Sequence, residues 1–138
     1  MGPGTARLRR RFFPGDVIVL DLPVQPRITA PDPRIDAIRG CVAVERGPIV
    51  LCAESVDLPA GVDLHALGVL PHAEERDGAV VVTGHAVQPP GHSWPYGIAM
   101  EPTTTGTVVV PLIPYHRWAR RGPSTMRVWL PVADGRKE

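Results

Sequence analysis

Long apolar runs are missing from this 138-residue chain. No stretch approaches the ~20 consecutive apolar residues that a membrane helix needs, so no helical span is expected. The arginines near the start run into Phe12-Phe13-Pro14-Gly15-Asp16 instead of a longer apolar segment, so no secretory signal is read there. The expected location is therefore the cytoplasm. Cysteine is scarce as well, and Cys41 and Cys52 are too few for a disulfide framework. They read as free thiols of a reducing compartment, although a cross-strand pair stays open if 41–45 and 49–54 form a hairpin. Net charge is only +1, which points to no acidic partner. Arg7, Arg9, Arg10 and Arg11 do cluster, but no aromatic stacking platform accompanies them, so nucleic-acid binding is not expected. Aromatics make up 5% of the chain, and two of the three tryptophans fall within Pro111–Leu130. Large aromatic side chains dominate the apolar area a fold can bury, so that stretch is expected to lock the structure.

Proline and glycine, by contrast, are plentiful, with 17 and 14 copies. They stand singly between apolar runs, as turn punctuation does in a protein of many short strands. Asp16–Leu22 alternates and predicts a first strand that Pro23 ends. The lead-in before it offers Leu8 and Phe12-Phe13 as packing points. Pro26, Pro31 and Pro33 keep the next stretch extended. Cys41–Glu45 alternates, Gly47-Pro48 turns the chain, and Ile49–Ala53 is apolar throughout, as in a strand covered on both faces. Residues 57–78 look looser, with at most one helical turn near Leu64 or Leu67. Val80–Thr83 and Thr107–Ile113 predict strands, 88–97 a long loop around Trp94, Tyr115–Arg121 a turn or short helix, and Met126–Leu130 the last strand. The fold class expected is all-β: an antiparallel β-sandwich or jelly roll with little helix, in one domain over 1–138. The first ~15 and last ~5 residues should be loosely ordered, as termini usually are.

Chemistry is hard to find in this pattern. His65, His72, His85, His92 and His116 form no helical pair and no zinc-finger spacing, so they read as surface imidazoles and no metal or cofactor is expected. Cys52 and Glu54 stand two apart, on one face of a strand, but no base or positive charge can be placed to activate the thiol. Glycoside hydrolysis needs two carboxyl groups facing each other across a cleft. Glu45, Glu54, Glu74-Glu75 and Glu101 are scattered and lack flanking aromatics. No catalytic residue is therefore assigned. Trp94 and Tyr96, in a loop, are the candidate carbohydrate contacts, because an aromatic face suits the apolar face of a sugar ring.

Three blocks carry a resemblance. Gly4–Arg10 with Pro14–Pro23, then Arg46-Gly47-Pro48-Ile49-Val50-Leu51-Cys52, then Pro111–Leu130 are similar, in order and spacing, to the C-terminal portion of glycoside hydrolase family 127, the β-L-arabinofuranosidase-like enzymes. The signature positions are Gly15, Asp16, Arg46, Gly47, Pro48, Pro114, Tyr115, Trp118, Arg121, Gly122 and Trp129. The resemblance implies a parent enzyme with an (α/α)6 barrel that holds a zinc-bound cysteine nucleophile, upstream of anything in these blocks. In that family a glutamate precedes a cysteine by two residues; here Cys52 precedes Glu54, and no catalytic position carries over. The implied role is a non-catalytic accessory or scaffolding domain, or a truncated fragment, with an upstream barrel or a second copy as partner. Two rivals remain at this point: a free-standing carbohydrate-binding module using Trp94 and Tyr96, and an enzyme assembled in trans with a separately encoded barrel. In the family the block over Thr5–Leu22 sits inside a sandwich, so an unpaired edge or uncovered apolar face is expected here.

Overall fold

Two tight turns generate much of the topology. Gly47 takes a positive φ of 57° and, with Pro48, folds strand β2 (Cys41–Arg46) back on β3 (Ile49–Glu54). Asp77 and Gly78, with φ of 52° and 79°, do the same for β4 (Leu67–Arg76) and β5 (Ala79–Gln88). Two positive-φ residues in a two-residue loop match the right-handed twist of the strands they join, and Asp-Gly is a favoured choice there. The structure, a computed structural model, describes residues 4–88 and 103–133.

The remaining strands are β1 (Pro26–Thr29), β6 (Thr103–Pro114), β7 (Met126–Arg127) and β8 (Leu130–Pro131), with single 3-10 turns between some of them. All strand pairs are antiparallel, in the order β1-β2-β3-β6-β5-β4. The short strands β7 and β8 pair with β3 and β2 respectively, where those two splay beyond their hairpin. After β8 the chain reaches β4: Ala133 N–H donates to the Val69 carbonyl at 2.9 Å, and Val132 N–H to that of Gly40 at 2.8 Å. The sheet thus curls until its ends are nearly joined, which leaves few free edges. The all-β, sandwich-like class expected from the sequence is what the structure shows.

The core fills the inside of this curl. Val42 and Val44 of β2, Leu51 and Ala53 of β3, Val80 and Val82 of β5, and Val108, Val110 and Leu112 of β6 point inward with Leu64, Leu67, Val69 and Leu130. Alternation explains most of it, since residues two apart share a strand face. Val109, between two core valines, is exposed.

Several sequence expectations fail for identifiable reasons. Asp16–Leu22 is not a strand: it joins no ladder among the described residues, and its apolar side chains are exposed, with Val17 at 79%, Val19 at 84% and Leu20 at 73%. A ladder needs a second strand, and no described strand lies beside it. Leu8, Phe12 and Phe13 are likewise exposed, with the Arg10 and Arg11 guanidinium groups lying over the Phe12 and Phe13 rings. The loose reading of 57–78 misses β4, because Pro71 argues against a strand. The register between β4 and β5 shifts between Val69 and Ala73, and an irregularity of this kind is where a strand tolerates proline. Pro26 opens the unexpected strand β1, where its missing N–H costs little. The last strand divides into β7 and β8 around Val128-Trp129. Trp94, Tyr96, His92, Glu101 and the C-terminal residues 134–138 lie outside the described residues.

Candidate functional site

From Leu51 to Glu54 strand β3 is covered on both faces, whereas Ile49 and Val50 at its start are exposed. Leu51 and Ala53 face the core, while Cys52 and Glu54, on the other side, are also fully buried. What covers that second face is the corner between β6 and β7. Pro114 ends β6, Tyr115–Arg117 makes one 3-10 turn, and Ala119 adopts φ 60°, a left-handed conformation that a non-glycine residue holds only when its surroundings require it. Gly122, at φ 116°, then lets the chain turn back toward β7.

Glu54 is the group that holds the corner. Its Oε1 accepts from the Ala119 N–H at 2.7 Å and from the Ser124 hydroxyl at 2.9 Å, and its Oε2 accepts from Arg121 Nη2 at 2.5 Å. Arg121 also clasps Asp57 with both terminal nitrogens, at 2.7 and 2.6 Å. Beside it the Ser55 N–H donates to the Thr125 carbonyl at 3.0 Å, and the Thr125 N–H donates to the Ser55 hydroxyl at 3.0 Å. A buried charge is tolerable only when paired and hydrogen-bonded, and Glu54 meets both conditions. The Arg121 guanidinium, with the Ala119 and Ser124 donors, holds the Glu54 carboxyl below the usual range despite burial. Arg121 is held fully charged by Asp57 and Glu54.

This arrangement works against catalysis on the same strand. Burial first, and the Glu54 charge second, push the Cys52 thiol up to about 11. A nucleophilic cysteine needs the opposite shift. Both cysteines are free, so the cross-strand disulfide is not formed. The other described glutamates are also engaged by arginine: Glu45 by Arg27, Glu74 by Arg76, and Glu75 by Arg46. Among the described residues no group of three or more His, Cys, Asp and Glu is placed to hold a metal ion.

The signature residues gather into two structural stations. At one, Gly15 and Asp16 form a turn in which the Asp16 carboxylate accepts from Arg10 at 2.7 Å and from the Phe13 N–H at 2.9 Å. Arg46 and Gly47 meet the end of the same lead-in: Arg46 Nε donates to the Val24 carbonyl at 3.4 Å, and a Cβ on Gly47 would lie 2.5 Å from Val24 Cγ1. The other station is the corner, with Pro114, Tyr115, Trp118, Arg121 and Gly122. Trp118 and Tyr115 are 40% and 47% exposed, so the corner presents its aromatic rings instead of burying them. Trp129 is half-buried beside Tyr115 and Arg127, in the wall of a cavity of about 500 Å³. No sequence pattern points to this cavity, because its wall draws on the 3-10 turn Asp36–Ile38, the start of β2, the corner and β7.

The family model for the glycoside hydrolase family 127 C-terminal domain matches residues 26–131. The chain belongs to glycoside hydrolase family 127, as its C-terminal domain. It is 32% identical to a non-reducing end β-L-arabinofuranosidase of Bifidobacterium longum subsp. longum, over 81% of this chain and 19% of that protein. Among solved structures it is similar to a family 127 β-L-arabinofuranosidase from Geobacillus stearothermophilus, with a TM-score of 0.63 and 32% identity over 80% of this chain and 19% of the other. A second family 127 β-arabinofuranosidase gives a TM-score of 0.61 at 32% identity, covering 80% of this chain and 17% of the other. The chain therefore spans about a fifth of the length of the curated relative it matches. The exposed segment before Val24 lies outside the matched domain. Among the described residues no helix is long and apolar enough to cross a membrane.

Proposed function

We propose that the chain is a non-catalytic accessory domain that packs against the remainder of a family 127 glycoside hydrolase, including its (α/α)6 barrel, and that the whole enzyme hydrolyses β-L-arabinofuranosides or related glycosides. The observation that carries the reading is the segment Val17–Val24. Val17 and Val19 fall on one face, Ile18, Leu20 and Leu22 on the other, and all are exposed. A stretch apolar on both faces is suited to the middle of a covered sheet. It stands immediately before a domain that closes on itself without it. The described residues do not fit the zinc of such a barrel: no ligand cluster is present among them, and the one fully buried thiol is pushed away from ionisation. The domain's contribution is then mechanical, a rigid body with an apolar segment to donate and an aromatic corner held in shape by Glu54.

The test is an assay of the purified chain on aryl β-L-arabinofuranosides with zinc supplied. The expected outcome is no sugar release and no stoichiometric zinc; clear turnover by the chain alone would sink the proposal.

A further inference from the structure

The cavity of about 500 Å³ is lined by Ala37, Ile38, Cys41, Tyr115, Met126, Arg127, Val128 and Trp129. Its size falls in the range of small-molecule sites, which are mostly apolar with a few polar groups that fix orientation. Its composition is specific. Two aromatic residues, Tyr115 and Trp129, share the wall with one arginine and no carboxylate. Arg127 is half-buried, yet its guanidinium makes no hydrogen bond or ion pair among the described residues. Arg121, six positions earlier, is by contrast fully engaged by Glu54 and Asp57. A guanidinium with no partner among the described residues has donors to spare, and a carboxylate is the acceptor that matches its fork geometry.

We infer that this cavity is a subsite for an acidic sugar residue, one that stacks a ring face on Trp129 or Tyr115 and sets its carboxylate against Arg127. A sugar ring supplies the C–H surface that an aromatic face accepts, and its carboxylate neutralises the one charge in the wall. The site is separate from the accessory role proposed above and does not depend on it. It would give the domain a glycan contact of its own, on a face built by the corner that Glu54 holds.

Cys41 makes the cavity readable. It is partly exposed and lies in the wall, whereas Cys52 is fully buried with its thiol pushed up to about 11, so a thiol reagent should label Cys41 selectively. Alkylation of Cys41 in the full chain is followed with and without galacturonate or glucuronate, and with arabinose as the neutral comparison. The expected result is several-fold slower labelling with the uronates at millimolar concentration and little change with arabinose. Protection should be lost in Arg127→Gln and weakened in Tyr115→Ala, with a far-ultraviolet spectrum and melt confirming that each variant is folded. Absence of protection by any uronate would overturn the inference. So would equal protection by arabinose, or protection that survives Arg127→Gln in a folded protein.

Discussion

Glu54 has no exposed surface, and three donors from residues 65 to 70 positions later converge on its carboxylate. Removing it would strand the Ala119 N–H and the Ser124 hydroxyl and release Arg121 from the corner. Glu54→Ala should therefore cost roughly 2–4 kcal/mol, the scale of an unsatisfied buried group plus a lost charged hydrogen bond, measurable by urea denaturation. The pH dependence has a definite sign. The folded carboxyl titrates below its ordinary value of 4.5, so its contribution is complete above that pH and is lost as pH falls through the lower folded value. Glu45, lowered by Arg27 and Thr29, adds to the same acid limb. Melting temperature should drop below about pH 4, and Glu54→Gln should flatten part of that drop. The spacing of Cys52 and Glu54 already placed them on one strand face. Their partners could not be read, because a contact across 65 residues leaves no local pattern.

At the scale of the elements, alternation and β-branching were enough to read β2, β3, β5 and β6, since each of these strands puts valines or leucines into one core. Strand β4 was hidden by Pro71, though Asp77-Gly78 carried a hairpin signal that would have revealed it. The β4–β5–β6 layer also sets a steric limit at Gly84. A Cβ there would lie 2.9 Å from the Gly68 carbonyl oxygen and 3.1 Å from Leu67 Cδ1. Neither neighbour has room to retreat within a paired strand, so Gly84→Ala should destabilise by about 1–3 kcal/mol in the same denaturation assay. Asp16–Leu22 misled for the opposite reason: its pattern is that of a strand, but a strand pattern requires a sheet to receive it. Exposed as they are, Val19 and Leu20 contribute little to this domain's own stability. Val19→Asp with Leu20→Asp should leave the melting temperature of the chain unchanged within about a degree, surface changes being worth within ±0.5 kcal/mol. The same pair should raise its solubility, read by light scattering on heating.

For the whole molecule, the contrast is between a sheet that nearly closes on itself and a lead-in that leaves an apolar segment in the open. The family match begins at residue 26, just past that segment, and the curated relative it matches is about five times longer. Family membership was legible in the sequence because the turn and corner residues, such as Gly47, Arg121 and Gly122, are held by backbone geometry and by an ion pair to the buried Glu54. The cavity beside Trp129 was not legible, since four separate segments build it. The most direct measurement is a titration of the purified chain, by calorimetry or sedimentation, into a family 127 enzyme shortened to lack its own C-terminal domain. A saturable one-to-one complex, abolished by Val19→Asp with Leu20→Asp while the chain stays folded, is the predicted result. No complex with the wild-type chain, or a complex indifferent to those two substitutions, would contradict the account.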